Sequence, residues 1–271
     1  MSLLHLIILS IVQGITEFLP VSSSAHLVLV PFAMEVPDQG LMMDVAVHIG
    51  TLLAVIFFFW RELWAMFCGV CGFNCQYSSQ IFSKSQSRSL FAYIILATIP
   101  VMAVGYVMHM IWPDGIRRMD VIAYASIIFG VLLYVADQYA PKEKEIGDLT
   151  WKSALVIGLA QIMALIPGTS RSGVTMTAAR SMGFNRRDAA RFSLLLGIPT
   201  ILGAGVLSGY DLYQAGDLML GLDVLIALLL SFASALVAIY LMMRWLEKAS
   251  FTIFVIYRIL LGVGLLTIIY L

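Results

Sequence analysis

Pro167-Gly168-Thr169-Ser170-Arg171-Ser172-Gly173 interrupts an apolar stretch that runs from Trp151 to Met182, and Pro20-Val21-Ser22-Ser23-Ser24 interrupts another that runs from Leu3 to Met34. Each stretch has 32 residues. As continuous helix that is roughly 48 Å at ~1.5 Å per residue, too long for one untilted crossing of a ~30 Å hydrocarbon core and too short for two. Non-helical backbone at membrane depth is tolerated only where it is buried in protein or lines a wet cavity. The reading that meets both constraints is a re-entrant hairpin, two half-helices meeting at a polar tip. The alternative, a pair of proline-kinked ordinary spans, fits the lengths and the hydroxyl-rich breaks less well.

The rest of the chain agrees with a lipid surrounding. Of its 271 residues 61% are hydrophobic and 12% charged, with a mean hydropathy of +0.95. An ordinary soluble domain carries roughly 25% charge, so a soluble globular protein is excluded. Sixteen Lys and Arg balance sixteen Asp and Glu, and no basic excess marks a nucleic-acid surface, so nucleic acid is not expected among the partners. Leu3 to Val12 lacks a basic flank and a small-residue cleavage site, so a removable signal peptide is not expected. Six further segments read as spans, about Asp44–Trp64, Leu90–Trp112, Val121–Tyr139, Phe192–Leu212, Leu222–Trp245 and Phe251–Leu271. The expected fold is therefore an all-α polytopic membrane protein, one integral-membrane domain with six transmembrane helices and two re-entrant hairpins.

The two broken stretches also resemble each other. Aligned on proline, Leu19-Pro20-Val21-Ser22-Ser23-Ser24 lies over Ile166-Pro167-Gly168-Thr169-Ser170-Arg171, and Gln13 and Gln161 precede the prolines at similar distances. This predicts a duplicated unit of hairpin plus three helices, about 1–140 and 151–271. Three spans carry the chain across the bilayer, so the second hairpin enters from the opposite face. Inverted repeats of this kind bring broken helices together near the midplane around a site. Twelve Lys and Arg fall near one side of the membrane, against Arg117 and Arg118 on the other. By the positive-inside rule the richer side is cytoplasmic, and the termini and the mouth of the first hairpin face outward. The polar loop Gln76–Ser89 then lies inside. Cys68, Cys71 and Cys75, without a nearby His and next to a reducing compartment, read as free thiols and not as a metal knot.

Ionisable side chains within lipid are costly and mark function by default. Glu17 and His26 flank the first break and Arg171 sits in the second. Gln13 and Glu17, four apart, share one helix face. Their oxygens suit a hard cation such as Mg2+ or Ca2+, or an attacking water, while an ion pair between Glu17 and Arg171 is the structural alternative. In the second break a helix start with Thr169, Ser170, Ser172 and Thr175, Gly168 for close backbone approach, and the Arg171 fork together form an anion cradle suited to phosphate. Ser22, Ser23, Ser24 and His26 supply hydroxyls and an imidazole on the other side. Either His26 or Ser23 is suited to nucleophile or proton-donor chemistry, and the residues alone do not choose between them. His48 reads more readily as a packing histidine, and His5 and His109 need no special role.

Gln13-Gly14-Ile15-Thr16-Glu17-Phe18-Leu19-Pro20-Val21-Ser22-Ser23-Ser24-Ala25-His26 and Pro167-Gly168-Thr169-Ser170-Arg171-Ser172-Gly173-Val174-Thr175 resemble the two signature motifs of the undecaprenyl-diphosphate phosphatase family, also called the bacitracin-resistance protein family. The likeness extends through His48–Val55 and the Tyr257-Arg258 pair. Where the family allows Glu or Gln this chain has Gln13, which leaves Glu17 as the principal acidic ligand. The resemblance implies hydrolysis of undecaprenyl diphosphate to the monophosphate and inorganic phosphate in a bacterial inner membrane, recycling the peptidoglycan lipid carrier, and the count of basic residues then places the access to the site on the periplasmic face. In that scheme Arg171 and the hydroxyls of both breaks hold the phosphates of the polyprenyl lipid, and Glu17 with Gln13 holds Mg2+ or Ca2+ or orients water. The oligomeric state stays open, with a homodimer among the partners considered. The competing reading is a polyprenyl-phosphate flippase, since inverted repeats with broken helices are also a transporter plan.

Overall fold

The computed structural model describes residues 2–73, 83–112, 118–215 and 221–270. Cys75, Gln76, Arg117 and Leu271, used in the sequence reading, lie outside them. The described residues form eleven α-helices and no β-strand. Six are long and apolar enough to cross a membrane: α3 (Leu41–Phe58), α5 (Lys84–Ile111), α6 (Met119–Tyr139), α9 (Arg186–Ala215), α10 (Leu222–Trp245) and α11 (Thr252–Tyr270). Large apolar side chains on them face outward, among them Phe57, Val206, Val237 and Leu260, each more than half exposed. That surface needs lipid to cover it. The protein is a multi-pass membrane protein.

Four shorter helices stand where the broken stretches were expected: α1 (Leu3–Phe18) with α2 (Ser23–Ala33), and α7 (Trp151–Gln161) with α8 (Arg171–Ser181). At 11 to 16 residues none reaches the ~20 residues a crossing requires. Within each pair the two helices pack on one another. The polar break is therefore a true interruption of the helix and not a kink within it. Extended backbone at Leu19 ends α1, and a 3-10 turn, Ile162–Leu165, with extended backbone at Ile166 ends the first half of the second pair.

Four details depart from the sequence reading. The span expected over Asp44–Trp64 is two helices, because the chain leaves helical geometry at Phe59 and restarts as α4 (Trp60–Cys71), which packs on α5. Ser83 caps α5 with its side chain, so Lys84–Ser89 is helix and not loop. Cys68 is disulfide-bonded and Cys71 free, which corrects the reading of three free thiols. The proline alignment is also one residue out. Ser22 and Ser170 are the equivalent residues, since each is the N-cap of the helix after its break and each has a positive φ, 76° and 70°. In this register Gln13 and Gln161, both fully buried, each precede that serine by nine residues.

Packing between helices follows the same correspondence. α1 packs on α10 as α7 packs on α5, α3 on α10 as α9 on α5, and α6 pairs with α11. α2 meets α11 through His26 and Tyr257, and α8 meets α6. α3 packs on α9, and residues of both breaks line one cavity together with these two helices.

Candidate active site

Residues of both breaks line a cavity of about 370 Å³, to which Glu17, Ser22, Ser23, Ser24, Ser170 and Arg171 contribute. The remaining wall comes from Asp44 and His48 on α3, Val101 on α5, and Thr200 to Ser208 on α9. These are the first half of α3 and the second halves of α5 and α9. α3 thus runs opposite to α5 and α9, and the cavity extends from the breaks toward the end of the molecule on which α3 begins.

Glu17, 7% exposed, is the hub. Its Oε2 accepts from Gln13 Nε2 at 2.9 Å and from Ser23 Oγ at 2.7 Å, and its Oε1 accepts from Arg171 Nη2 at 3.2 Å. His48 Nε2 stands 3.7 Å from Oε2. The ion pair with Arg171 considered from sequence is thus present, and the same carboxylate also holds a serine hydroxyl. A buried carboxylate is tolerable here because donors from α1, α2 and α8 satisfy both oxygens.

The backbone sets Ser23 and Arg171 in place. A positive φ at Ser22 and at Ser170 is costly for a residue with a Cβ, on the order of 1–3 kcal/mol, and such strain is held only where the surroundings over-determine it. Ser170 Oγ accepts from Gly173 N at 3.1 Å, capping α8. Ser23 and Arg171 are then the first residues of α2 and α8, where free N–H groups and the helix dipole favour an anion.

Several expected residues stand behind the cavity wall. His26 Nδ1 donates to Ser22 O at 2.7 Å, and its Nε2 accepts from Tyr257 Oη at 2.5 Å, the two rings stacking at 5.7 Å. Both ring nitrogens are engaged and neither faces the cavity. Ser172 Oγ donates to Leu19 O at 2.9 Å, tying the two breaks together. Thr175 Oγ1 lies 2.6 Å from Ser193 Oγ. Thr169 and Gln13 are fully buried, and each keeps one oxygen, Thr169 Oγ1 and Gln13 Oε1, without a hydrogen-bond partner among the described residues. Gly168 serves through its carbonyl.

Sequence reasoning gave His48 a packing role and assigned no role to Asp44, Thr200 or Gly197, all of which the structure brings to the cavity or to Arg171. His48 and Asp44 come from the long apolar α3, and the spacing of α3 alone does not show which turn meets a break. Gly197 leaves no side chain where the Arg171 guanidinium lies along α9.

Comparison with known proteins shows the family. Residues 6–264 match the family model described as bacitracin resistance protein BacA. The chain is 46% identical to an undecaprenyl-diphosphatase of Ruegeria sp. (strain TM1040) over the full length of both. It is 46% identical to the protein of that name from Alteromonas mediterranea, covering 98% of each. Identity to the one from Erythrobacter litoralis is 42%, over 98% of this chain and 99% of the relative. With match and geometry coinciding on the two breaks, the chain belongs to the bacitracin resistance protein BacA family.

Proposed function

We propose that the protein hydrolyses undecaprenyl diphosphate to undecaprenyl phosphate and inorganic phosphate in the cavity between the breaks. The observation that carries the residue roles is the 2.7 Å hydrogen bond from Ser23 Oγ to Glu17, on a carboxylate that also faces Arg171. Glu17 takes the Ser23 proton as Oγ attacks the terminal phosphorus. The bond from that phosphorus to the bridging oxygen breaks, and the lipid monophosphate leaves. Water then hydrolyses the phosphoserine, releasing phosphate and restoring Ser23. Arg171 and the N–H groups at the starts of α2 and α8 neutralise the charge that spreads over the phosphoryl oxygens, as phosphoryl transfer requires. Ser22, Ser24 and Ser170 supply further donors along the same wall. His26 serves in this scheme by fixing the Ser22 carbonyl.

A divalent cation, Mg2+ or Ca2+, belongs to the proposal. The partnerless buried oxygen of Gln13 beside the Glu17 carboxylate is an all-oxygen donor set of the kind a hard cation takes. Among the described residues no group of three His, Cys, Asp or Glu is placed to bind a metal, so Glu17 and Gln13 would hold the ion together with substrate oxygens. Such an ion supplies charge neutralisation on the phosphates. We further propose that the two short-helix pairs re-enter from opposite faces of a bacterial inner membrane, with the cavity mouth outward.

Phosphate release from polyprenyl diphosphate by the purified protein tests the assignment. Ser23→Ala should lower kcat by about 10³-fold or more, ~4 kcal/mol on the transition-state scale, and Arg171→Lys should be severely impaired because a point charge does not replace a fork. Chelation should reduce turnover in the wild type and leave no metal-rescued component in Glu17→Gln. A Ser23→Ala protein within about twofold of wild type would transfer the nucleophile's role to water.

A further inference from the structure

Arg258 lies in the last span, is 0% exposed, and is among the largest fully buried side chains of the molecule. Every acceptor it has among the described residues is a backbone carbonyl. Nη2 donates to Thr169 O at 2.8 Å, Gly168 O at 3.0 Å and Ala125 O at 3.5 Å. Nη1 reaches Pro20 O at 3.4 Å, and Nε donates to Ser126 O at 3.2 Å. One side chain thus joins the first break, the second break and α6. A guanidinium kept at membrane depth is expensive, and an apolar residue of similar volume would pack there at less cost. What an apolar residue would lack is the direction of five hydrogen bonds.

Those directions bear on the turns that matter. Holding the carbonyls of Gly168 and Thr169 fixes the two peptide planes leading into Ser170, whose φ of 70° starts α8 and aims Arg171. Holding Pro20 O fixes the plane leading toward Ser22, whose φ of 76° starts α2 and aims Ser23. We infer that Arg258 is a positioning residue, a clamp that sets the two broken-helix tips at the separation that lets Ser23 and Arg171 meet on Glu17. Gly173 makes room for it, since a Cβ there would come within 2.7 Å of Arg258 Nη1. Ser172, donating to Leu19 O at 2.9 Å, is the second tie between the same tips. The inference rests on the reading of those tips as the walls of the hydrolytic site.

Lysine retains the charge of Arg258 but cannot span acceptors from three elements. Arg258→Lys should lower kcat by about 30-fold or more with KM within about threefold of wild type, the signature of lost transition-state alignment and not of lost substrate binding. Thermal stability in detergent should stay near that of the wild type. A merely structural role would give the reverse, a lowered Tm with normal kcat for the folded molecules. Gly173→Ala, which pushes on the guanidinium from α8, should give the same kcat-selective loss. Its combination with Arg258→Lys should be no worse than the poorer single variant, since the two changes break one device. Should Arg258→Lys fail to fold, Gly173→Ala decides alone. Turnover within about twofold of wild type in a folded Arg258→Lys, or in Gly173→Ala when only that variant folds, would overturn the clamp, as would a loss confined to KM or full additivity of the two. Arg171→Lys measured in parallel separates the two levels of argument: if that variant is fully active, the reading of the site has failed and not the clamp alone.

Discussion

Arg171 can lie along α9 because position 197 has no side chain. A Cβ on Gly197 would stand 2.3 Å from Arg171 Nη1 and 2.9 Å from its Cζ, closer than van der Waals contact allows, so the guanidinium would have to leave its place beside Glu17. Alanine is otherwise a better helix residue than glycine by roughly 1 kcal/mol. Gly197→Ala is therefore expected to keep or raise Tm while lowering kcat/KM by about 10²-fold, ~2.7 kcal/mol of transition-state stabilisation. Steady-state phosphate release together with a detergent melting curve checks this, and an unchanged kcat/KM would show that Arg171 has slack in its seat. The contrast between Arg171 and Gly197 marks how far single residues were legible. An arginine or glutamate in the middle of an apolar stretch announces itself through its solvation cost, and so Glu17 and Arg171 were found. Gly197 and His48 matter only because of what another helix brings against them, and the partner of His26 was not legible because Tyr257 is 231 positions away.

Element by element, the six spans and the two interruptions were readable because length against bilayer thickness constrains them. Register within the breaks was not, because a proline marks where a helix ends while the next helix starts at a positive-φ serine, two residues after Pro20 and three after Pro167. In the corrected register Ser23 and Arg171 are equivalent first residues of α2 and α8, so one scaffold position carries the proposed nucleophile in one half and the phosphate ligand in the other. The helix ends away from the cavity are joined by Asp137, which is 0% exposed. Arg186 grips its carboxylate with Nε and Nη2 at 2.7 and 2.9 Å, Arg180 Nε donates at 3.3 Å, and Phe251 N at 3.2 Å. Arg180 also binds the carbonyls of Asp137, Ala140, Pro141 and Phe184. Replacing the carboxylate leaves two guanidinium groups facing a neutral partner in a buried site, a loss of about 3–5 kcal/mol. Asp137→Asn should accordingly melt well below the wild type, while the folded protein turns over normally, since the cluster ties α6, α8, α9 and α11 at the end opposite the cavity mouth. A melting curve paired with active-site-normalised kcat distinguishes this from a catalytic effect.

Among the described residues several main helix pairings survive exchange of the two halves, α1 on α10, α3 on α10 and α1 on α2 answering to α7 on α5, α9 on α5 and α7 on α8, with α6 on α11 its own counterpart. If the two short-helix pairs re-enter as proposed, an odd number of crossings between them makes the halves antiparallel and sets opposite tips against one midplane site. The proposed sidedness rests on two independent lines. The basic residues near span ends gather on the side where α3 ends and α9 begins, as in Arg61, Arg186, Arg187 and Arg191, which the positive-inside rule makes cytoplasmic. The cavity is lined by Leu41 to His48 of α3 and Thr200 to Ser208 of α9, the halves of those helices farthest from that basic side. A lipid diphosphate whose chain stays in the bilayer would therefore present its head group from the outer leaflet. Ser85, exposed in the first turn of α5, and Gln214, exposed near the end of α9, report the two sides. In a background lacking Cys68, Cys71 and Cys75, a single cysteine at 214 should react in intact cells with an impermeant thiol reagent, and one at 85 only after lysis. The reverse pattern would turn the molecule over and place the cavity mouth in the cytoplasm. Labelling of both in intact cells would break the odd span count, and with it the proposed antiparallel arrangement in which Ser23 and Arg171 reach the same carboxylate from opposite faces.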